Sequence, residues 1–200
     1  KKALCEATSD WKIQFEADKY EKTDPKKADV IYQEGIKKFP QSSLLVESYA
    51  VFLHSVQKDY DKAEEYYKKA LDLEPENANN LGNYAGFLLA KGDEKGFDLL
   101  GKAIGLAENN SQQDTLLLEC QFYRYAHIKD PVFRVEALNE IRKLLRDGVR
   151  SPGWDLSNNA KRALEDGHPH PDFLTQLSKV ISDEIDIKEL DKFEEWKENN

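Results

Sequence analysis

Apolar residues recur at three- and four-residue spacings along most of this chain, and short breaks rich in Asp, Pro, Gly and Ser separate the runs. That period belongs to amphipathic helices, and nothing in the chain alternates as a strand would. Leu4, Trp11 and Phe15 open the series as one apolar stripe. After Thr23, Asp24 is placed to cap a helix and Pro25 to occupy its first turn. That helix carries Ala28, Tyr32, Gly35 and Ile36 and ends before Phe39-Pro40, which makes a first helical pair over roughly residues 3–39. A second pair follows Gln41-Ser42-Ser43. Its first helix holds Val46, Tyr49, Ala50 and Leu53; its second starts at Asp59-Tyr60-Asp61, holds Ala63, Tyr67, Ala70 and Leu71, and stops at Pro75. In a third pair Leu81, Tyr84, Ala85 and Leu88 precede a break at Lys91-Gly92-Asp93, and Phe97, Leu100, Ala103 and Ile104 follow it.

These pairs repeat one another. Tyr49-Ala50-Val51-Phe52-Leu53 returns as Tyr84-Ala85-Gly86-Phe87-Leu88, 35 residues on (84 − 49). A period of about 30 to 40 residues with helical spacing inside it marks stacked helical repeats. The second helices agree as well: Ala28, Tyr32, Gly35 and Pro40 align with Ala63, Tyr67, Ala70 and Pro75. A third copy is weaker, with Gly96, Leu100 and Ala103 in place and Glu108 where a proline is expected. A small residue at a helix crossing lets two backbones approach, and the aromatic fills the wedge beside it. On these residues the chain resembles the tetratricopeptide repeat family over roughly residues 3–109. The resemblance implies an all-α, right-handed solenoid of antiparallel helix pairs, three to four repeats long, that binds proteins without catalysing a reaction.

Beyond the clear repeats, a divergent fourth pair is expected from Asp114 to Ile128 and from Phe133 to Leu145, around a break at Lys129-Asp130-Pro131. The repeat grammar stops after Asp147-Gly148. A turn at Arg150-Ser151-Pro152-Gly153-Trp154 leads to a short helix over about Ser157–Glu165, closed by Gly167. Pro171 opens a helix with Phe173, Leu174, Leu177 and Ile181, and Asp186 with Glu189 reads as a capping box ahead of Leu190, Phe193 and Trp196. The expected division is therefore residues 1–148 as repeats and 149–200 as helices capping the end of the solenoid, whose last repeat would otherwise expose its apolar face.

Charge narrows the partners. With 29 basic and 38 acidic residues the net charge is −9, and 34% of residues are charged. Nucleic acid and anionic membrane surfaces are disfavoured, because both draw their affinity from Lys and Arg. Eight acidic and three basic residues between Asp183 and Asn200 put −5 of the total in the tail. No apolar run approaches the length of a membrane span. The chain contains no methionine and starts at Lys1, so a preceding segment is expected to have been removed. Cys5 and Cys120 stand far apart in apolar helical patterns, as reduced buried thiols do in a cytoplasmic protein.

The inner wall of such a repeat array is formed by the first helix of each pair. Glu47, Val51 and His54 share one face of the second pair, and Asn79, Gly82, Asn83, Gly86 and Leu89 take the corresponding positions in the third. The partner-binding expectation rests on Glu47, Val51, His54, Asn79, Asn83 and Leu89. Gly82 and Gly86 cost helix propensity and point either to a ligand backbone passing close by or to tight helix packing. Some family members hold a peptide's terminal carboxylate with basic wall residues; Glu47 and Gly82 replace them here, so an acidic and apolar groove is expected to suit a basic or amphipathic helix. His168 and His170, near Asp166 and Asp172, lack the spacing of a four-ligand zinc site. No nucleophile elbow, phosphate loop, dinucleotide fingerprint or zinc-peptidase motif is present. The expectation is a scaffold or adaptor without metal, cofactor or catalysis. A dedicated inhibitor, such as an immunity protein that occludes a toxin, is the alternative.

Overall fold

A computed structural model describes residues 9–108 and 110–197, with only the backbone of Ser111. Ten α-helices and no strands make up the described residues. Leu4 and Cys5 lie outside them, as do Glu198 to Asn200. The chain divides into two compact units, residues 1–80 and 81–200.

The first unit contains α1 (Asp10–Asp18), α2 (Pro25–Lys38), α3 (Ser43–Phe52) and α4 (Tyr60–Leu73), and the start of α5 (Ala78–Ala90). Helices α2, α3 and α4 begin where the sequence supplies a cap. Asp24, Ser42 and Asp59 accept hydrogen bonds from the backbone N–H of Lys27, Leu45 and Lys62, each at 3.2 Å. The small residues expected at the helix crossings are all buried. Ala28, Ala63 and Ala70 are fully enclosed, and a Cβ on Gly35 would stand 2.5 Å from Ile13 Cγ2, so glycine there sets how closely α1 can lie on α2. Tyr32 and Tyr67 fill the wedges beside them.

Helix α1 departs from the expected stripe. Trp11 and Phe15 are more than half exposed, while Ile13 and Ala17 are buried. Ile13 fits against Gly35, where an indole would not. Lys12 and Lys19 lie over the two exposed rings, at 5.6 Å and 4.6 Å from the ring centres. A second departure follows α3, which runs into a π-helical turn over Leu53–Gln57. Lys58 then adopts a left-handed conformation, φ 58°, and the amide of Asp59 reaches back to the Leu53 carbonyl at 3.0 Å.

The second unit holds the rest of α5, then α6 (Gly96–Ala107), α7 (Asp114–His127), α8 (Pro131–Arg146), α9 (Ser157–Glu165) and α10 (Pro171–Ile181). The structure decides the role of the α5 glycines. A Cβ on Gly82 would meet Leu116 Cδ1 at 2.9 Å and Cys120 Sγ at 3.0 Å, and one on Gly86 would meet the Tyr123 ring at 2.7 Å. Helix α7 therefore lies against the glycine face of α5. Close helix packing accounts for both residues, and no ligand backbone is needed. Cys120 is a buried free thiol, pushed well above its ordinary pKa by that burial.

The segment after Gly148 is held by specific contacts to α7 and to the end of α10. The Ser151 amide donates to the Ile181 carbonyl at 2.8 Å, Trp154 Nε1 donates to the Tyr123 hydroxyl at 2.8 Å, and Ser182 Oγ donates to the Trp154 carbonyl at 2.9 Å. The Ser151 hydroxyl also donates to the buried Glu119 carboxylate. Helices α9 and α10 pack on α7. Past α10 the expected capping-box helix is absent. Asp186 instead accepts from the Lys188 amide at 2.8 Å, and two 3₁₀ turns follow, Ile187–Leu190 and Glu194–Trp196. Leu190 and Trp196 anchor them in the core, with Phe193 5.5 Å from the Phe173 ring.

Candidate partner-binding wall

In the first unit, the hairpin of α3 and α4 is fastened through polar tips on otherwise buried aromatics. Lys62 Nζ donates to the Tyr49 hydroxyl at 2.8 Å, and that hydroxyl donates to Asp29 Oδ1 at 2.7 Å. Gln33 Nε2 supports the same carboxylate at 2.8 Å. Tyr49 thus joins α2, α3 and α4 while its ring stays out of water, which holds the phenol well above its ordinary pKa through burial first and the Asp29 hydrogen bond next. Tyr32 repeats the device, its hydroxyl 2.9 Å from Asp18 and 2.7 Å from Glu21. Burial raises both carboxyls, which suits groups that share one phenolic proton.

The sequence-derived wall residues fall into two groups. Glu47, Val51, His54 and Asn79 belong to the first unit; Asn83 and Leu89 belong to the second. Glu47 is buried, Val51 and His54 are half-buried, and Asn79 is exposed. The π-helical turn breaks the 3.6-residue period between Val51 and His54. His54 Nδ1 lies 3.0 Å from the Tyr67 hydroxyl, so the imidazole is positioned by the second helix of its own pair. Ser55 Oγ donates to the Val51 carbonyl at 2.7 Å, which takes up one of the carbonyls that the widened turn releases. In the second unit Asn83 is half-buried. Leu89 is buried over Gly96, where an added Cβ would come within 2.7 Å of its Cγ.

Lys62 and Tyr67 take part in this arrangement; spacing alone does not single out Lys62, and it marks Tyr67 only as a packing residue. The signal for Lys62 is its place one turn from Asp59, on the side of α4 facing Tyr49. His54's partner is the repeat aromatic itself. No group of three or more His, Cys, Asp or Glu side chains that could hold a metal occurs among the described residues. No helix among them is long and apolar enough to cross a membrane.

The profile of the tetratricopeptide repeat family matches residues 52–77, from the end of α3 through the π-helical turn and α4 to Asn77. Asn77 is where the next helix is capped, its Oδ1 accepting from the Asn80 amide at 3.2 Å. Over 77 residues, 36% of this chain, the sequence is 39% identical to the mitochondrial import receptor subunit TOM70 of Rattus norvegicus and of Mus musculus. The human protein of that name is 38% identical over the same length. The chain spans about 12% of the length of these curated relatives.

Proposed function

We propose that this chain, which carries a tetratricopeptide repeat, is a non-enzymatic interaction module that holds a protein or peptide partner on the first helices of its repeats. The observation that carries the reading is the α3–α4 hairpin. It has the family's repeat at residues 52–77, its small residues and aromatics are spent on helix packing, and Val51 and His54 lie half-buried on its first-helix side, with Asn79 exposed at the start of α5. The relatives are named as subunits of an import receptor, and recognition of another protein is the property carried over from them. Because the chain has a net charge of −9, the partner segment is a basic or amphipathic helix, the form such grooves take up most readily.

Of the six wall residues, Val51, His54 and Asn79 are the ones by which the first unit reads a partner, and Asn83 is the one on the second unit. Glu47 contributes its charge from a buried position, and Leu89 sets the spacing of the helices. Residues 1–148 form the interaction region, and residues 149–200 close its end. The test is affinity capture followed by titration of the captured protein against Val51→Glu and Asn79→Arg. Each variant should weaken binding at least ten-fold with an unchanged melting temperature, while Asp72→Arg on α4 binds as the parent does. Equal binding by all three would overturn the wall assignment. A partner that keeps its own activity while bound is being tethered; one that loses it is being inhibited.

A further inference from the structure

The second unit contains a cavity of about 430 Å³ between the C-terminal part of α7, α8, the start of α10 and the last 3₁₀ turn. Tyr125, Arg134, Arg142, His170 and Lys197 line it, and Val135 and Leu138 supply an apolar wall. Its size is that of a small-molecule or side-chain site.

The charges in this cavity do not balance locally. Glu195 Oε1 is 2.6 Å from His170 Nδ1, and Glu194 Oε1 is 2.5 Å from Lys197 Nζ, so both acidic groups have close basic partners. Arg142 is tied to the tail through the Glu195 carbonyl. Among the described residues no carboxylate pairs with Arg134: its hydrogen bond goes to the Ile128 carbonyl, and its Nε is buried without an acceptor among them. The Tyr125 hydroxyl, on a ring that is 1% exposed, also has no hydrogen-bond partner among the described residues. Burial keeps that phenol protonated and able to donate. Helix α8 adds to the asymmetry, with Arg134, Arg142, Lys143 and Arg146 against Glu136 and Glu140 in a chain that is acidic overall. A guanidinium fork is matched by a carboxylate. The two glutamates nearby oppose a multiply charged anion such as phosphate, so the surplus suits one negative charge.

We propose that this cavity binds a carboxylate carried on a short apolar stem, with Arg134 pairing the carboxylate and Val135 and Leu138 receiving the stem. Tyr125 donates to the bound group after a small side-chain adjustment. The site is separate from the repeat wall of the first unit and does not depend on the function proposed above.

The experiment is a titration of the full chain, labelled with ¹⁵N, with 3-phenylpropionate and with its neutral isostere 3-phenylpropionamide. The carboxylate should shift the amides of Tyr125, Arg134, His170 and Lys197 with a Kd of about 1 mM, the range for a ligand of this size. The amide should bind at least ten-fold more weakly. Arg134→Gln should reduce carboxylate affinity ten-fold or more, and Arg134→Lys should retain part of it. A second pair of probes, a tetrapeptide ending in Leu with a free or an amidated C-terminus, separates the sources. A free-acid peptide that binds more tightly than phenylpropionate places the carboxylate on a protein terminus, and failure of both peptides places it on a free small molecule. Equal binding of carboxylate and amide, shifts confined to residues outside the cavity, or no shifts at all would each overturn the proposal, whatever the outcome at the repeat wall.

Discussion

Replacing Gly86 by alanine should destabilise the protein although it improves the helix. In the interior of α5 the substitution gains about 1 kcal/mol of helix propensity. Against that stands Tyr123: the new Cβ would lie 2.7 Å from Cε2 and 2.8 Å from Cζ, closer than carbon atoms tolerate. The ring cannot swing aside at low cost, because it is buried and its hydroxyl accepts the Trp154 indole N–H at 2.8 Å. Overpacking of this kind costs about 1–3 kcal/mol, and with a pinned ring the upper end applies. The net effect is a loss of about 2 kcal/mol, or about 4–8 °C in melting temperature for a chain of this length. Thermal and urea denaturation followed by Trp fluorescence measures it, with Gly101→Ala as the internal comparison. Nothing lies within 4 Å of a Cβ at Gly101, on the exposed side of α6, so there the propensity gain stands alone and stability should rise by about 1 kcal/mol. A Gly86→Ala protein as stable as its parent would refute the packing account of the α5 glycines.

Acid should loosen the second unit through His168. Its Nε2 faces the Tyr125 carbonyl at 3.3 Å and its Nδ1 accepts the His170 amide at 3.2 Å, so the neutral Nε2–H tautomer is the form that fits. Burial first, and the Arg134 charge next, lower its pKa to about 4. With the folded value below the unfolded one, the stabilisation is complete above pH 6.5 and is lost as pH falls towards 4, by up to about 3 kcal/mol. His127, also lowered by burial, acts in the same direction. Melting temperatures between pH 7.5 and 4.5 test this, and His168→Gln should flatten the lower part of the curve. Asp59→Ala removes the cap of α4 and should cost about 1 kcal/mol in chemical denaturation. Trp154→Phe should cost a similar amount, because it leaves the buried Tyr123 hydroxyl without its donor.

What could be read from the sequence was local or repeated. Asp24, Ser42 and Asp59 announced their helices because a cap acts within three residues, and the Ala–Tyr–small spacing placed the helix crossings because each copy confirms the others. The outcome for Trp11 and Phe15 was not legible. Periodicity finds an apolar face, but which face is buried depends on the partner helix, and Gly35 makes room for Ile13. The α5 glycines were ambiguous for the same reason, since their partners on α7 are distant in sequence, Tyr123 lying 37 residues beyond Gly86 (123 − 86). Nothing in Leu53–Gln57 marks a π-helical turn, so the spacing that placed His54 with Val51 could not anticipate its contact with Tyr67. The cavity beside Arg134 was not legible in the sequence because its walls come from four separate stretches of the chain. Only folding shows that no carboxylate among the described residues pairs with Arg134.

The central claim is that partners are held on the first helices of the repeats. Its most direct test is photo-crosslinking in the native cell, with a benzophenone side chain placed at Val51, at Asn79, or at Asp72 and Lys69 on the outer side of α4. The account predicts adducts of one discrete protein from positions 51 and 79 and none from 72 and 69. Adducts from 72 and 69 with none from 51 and 79 would contradict it.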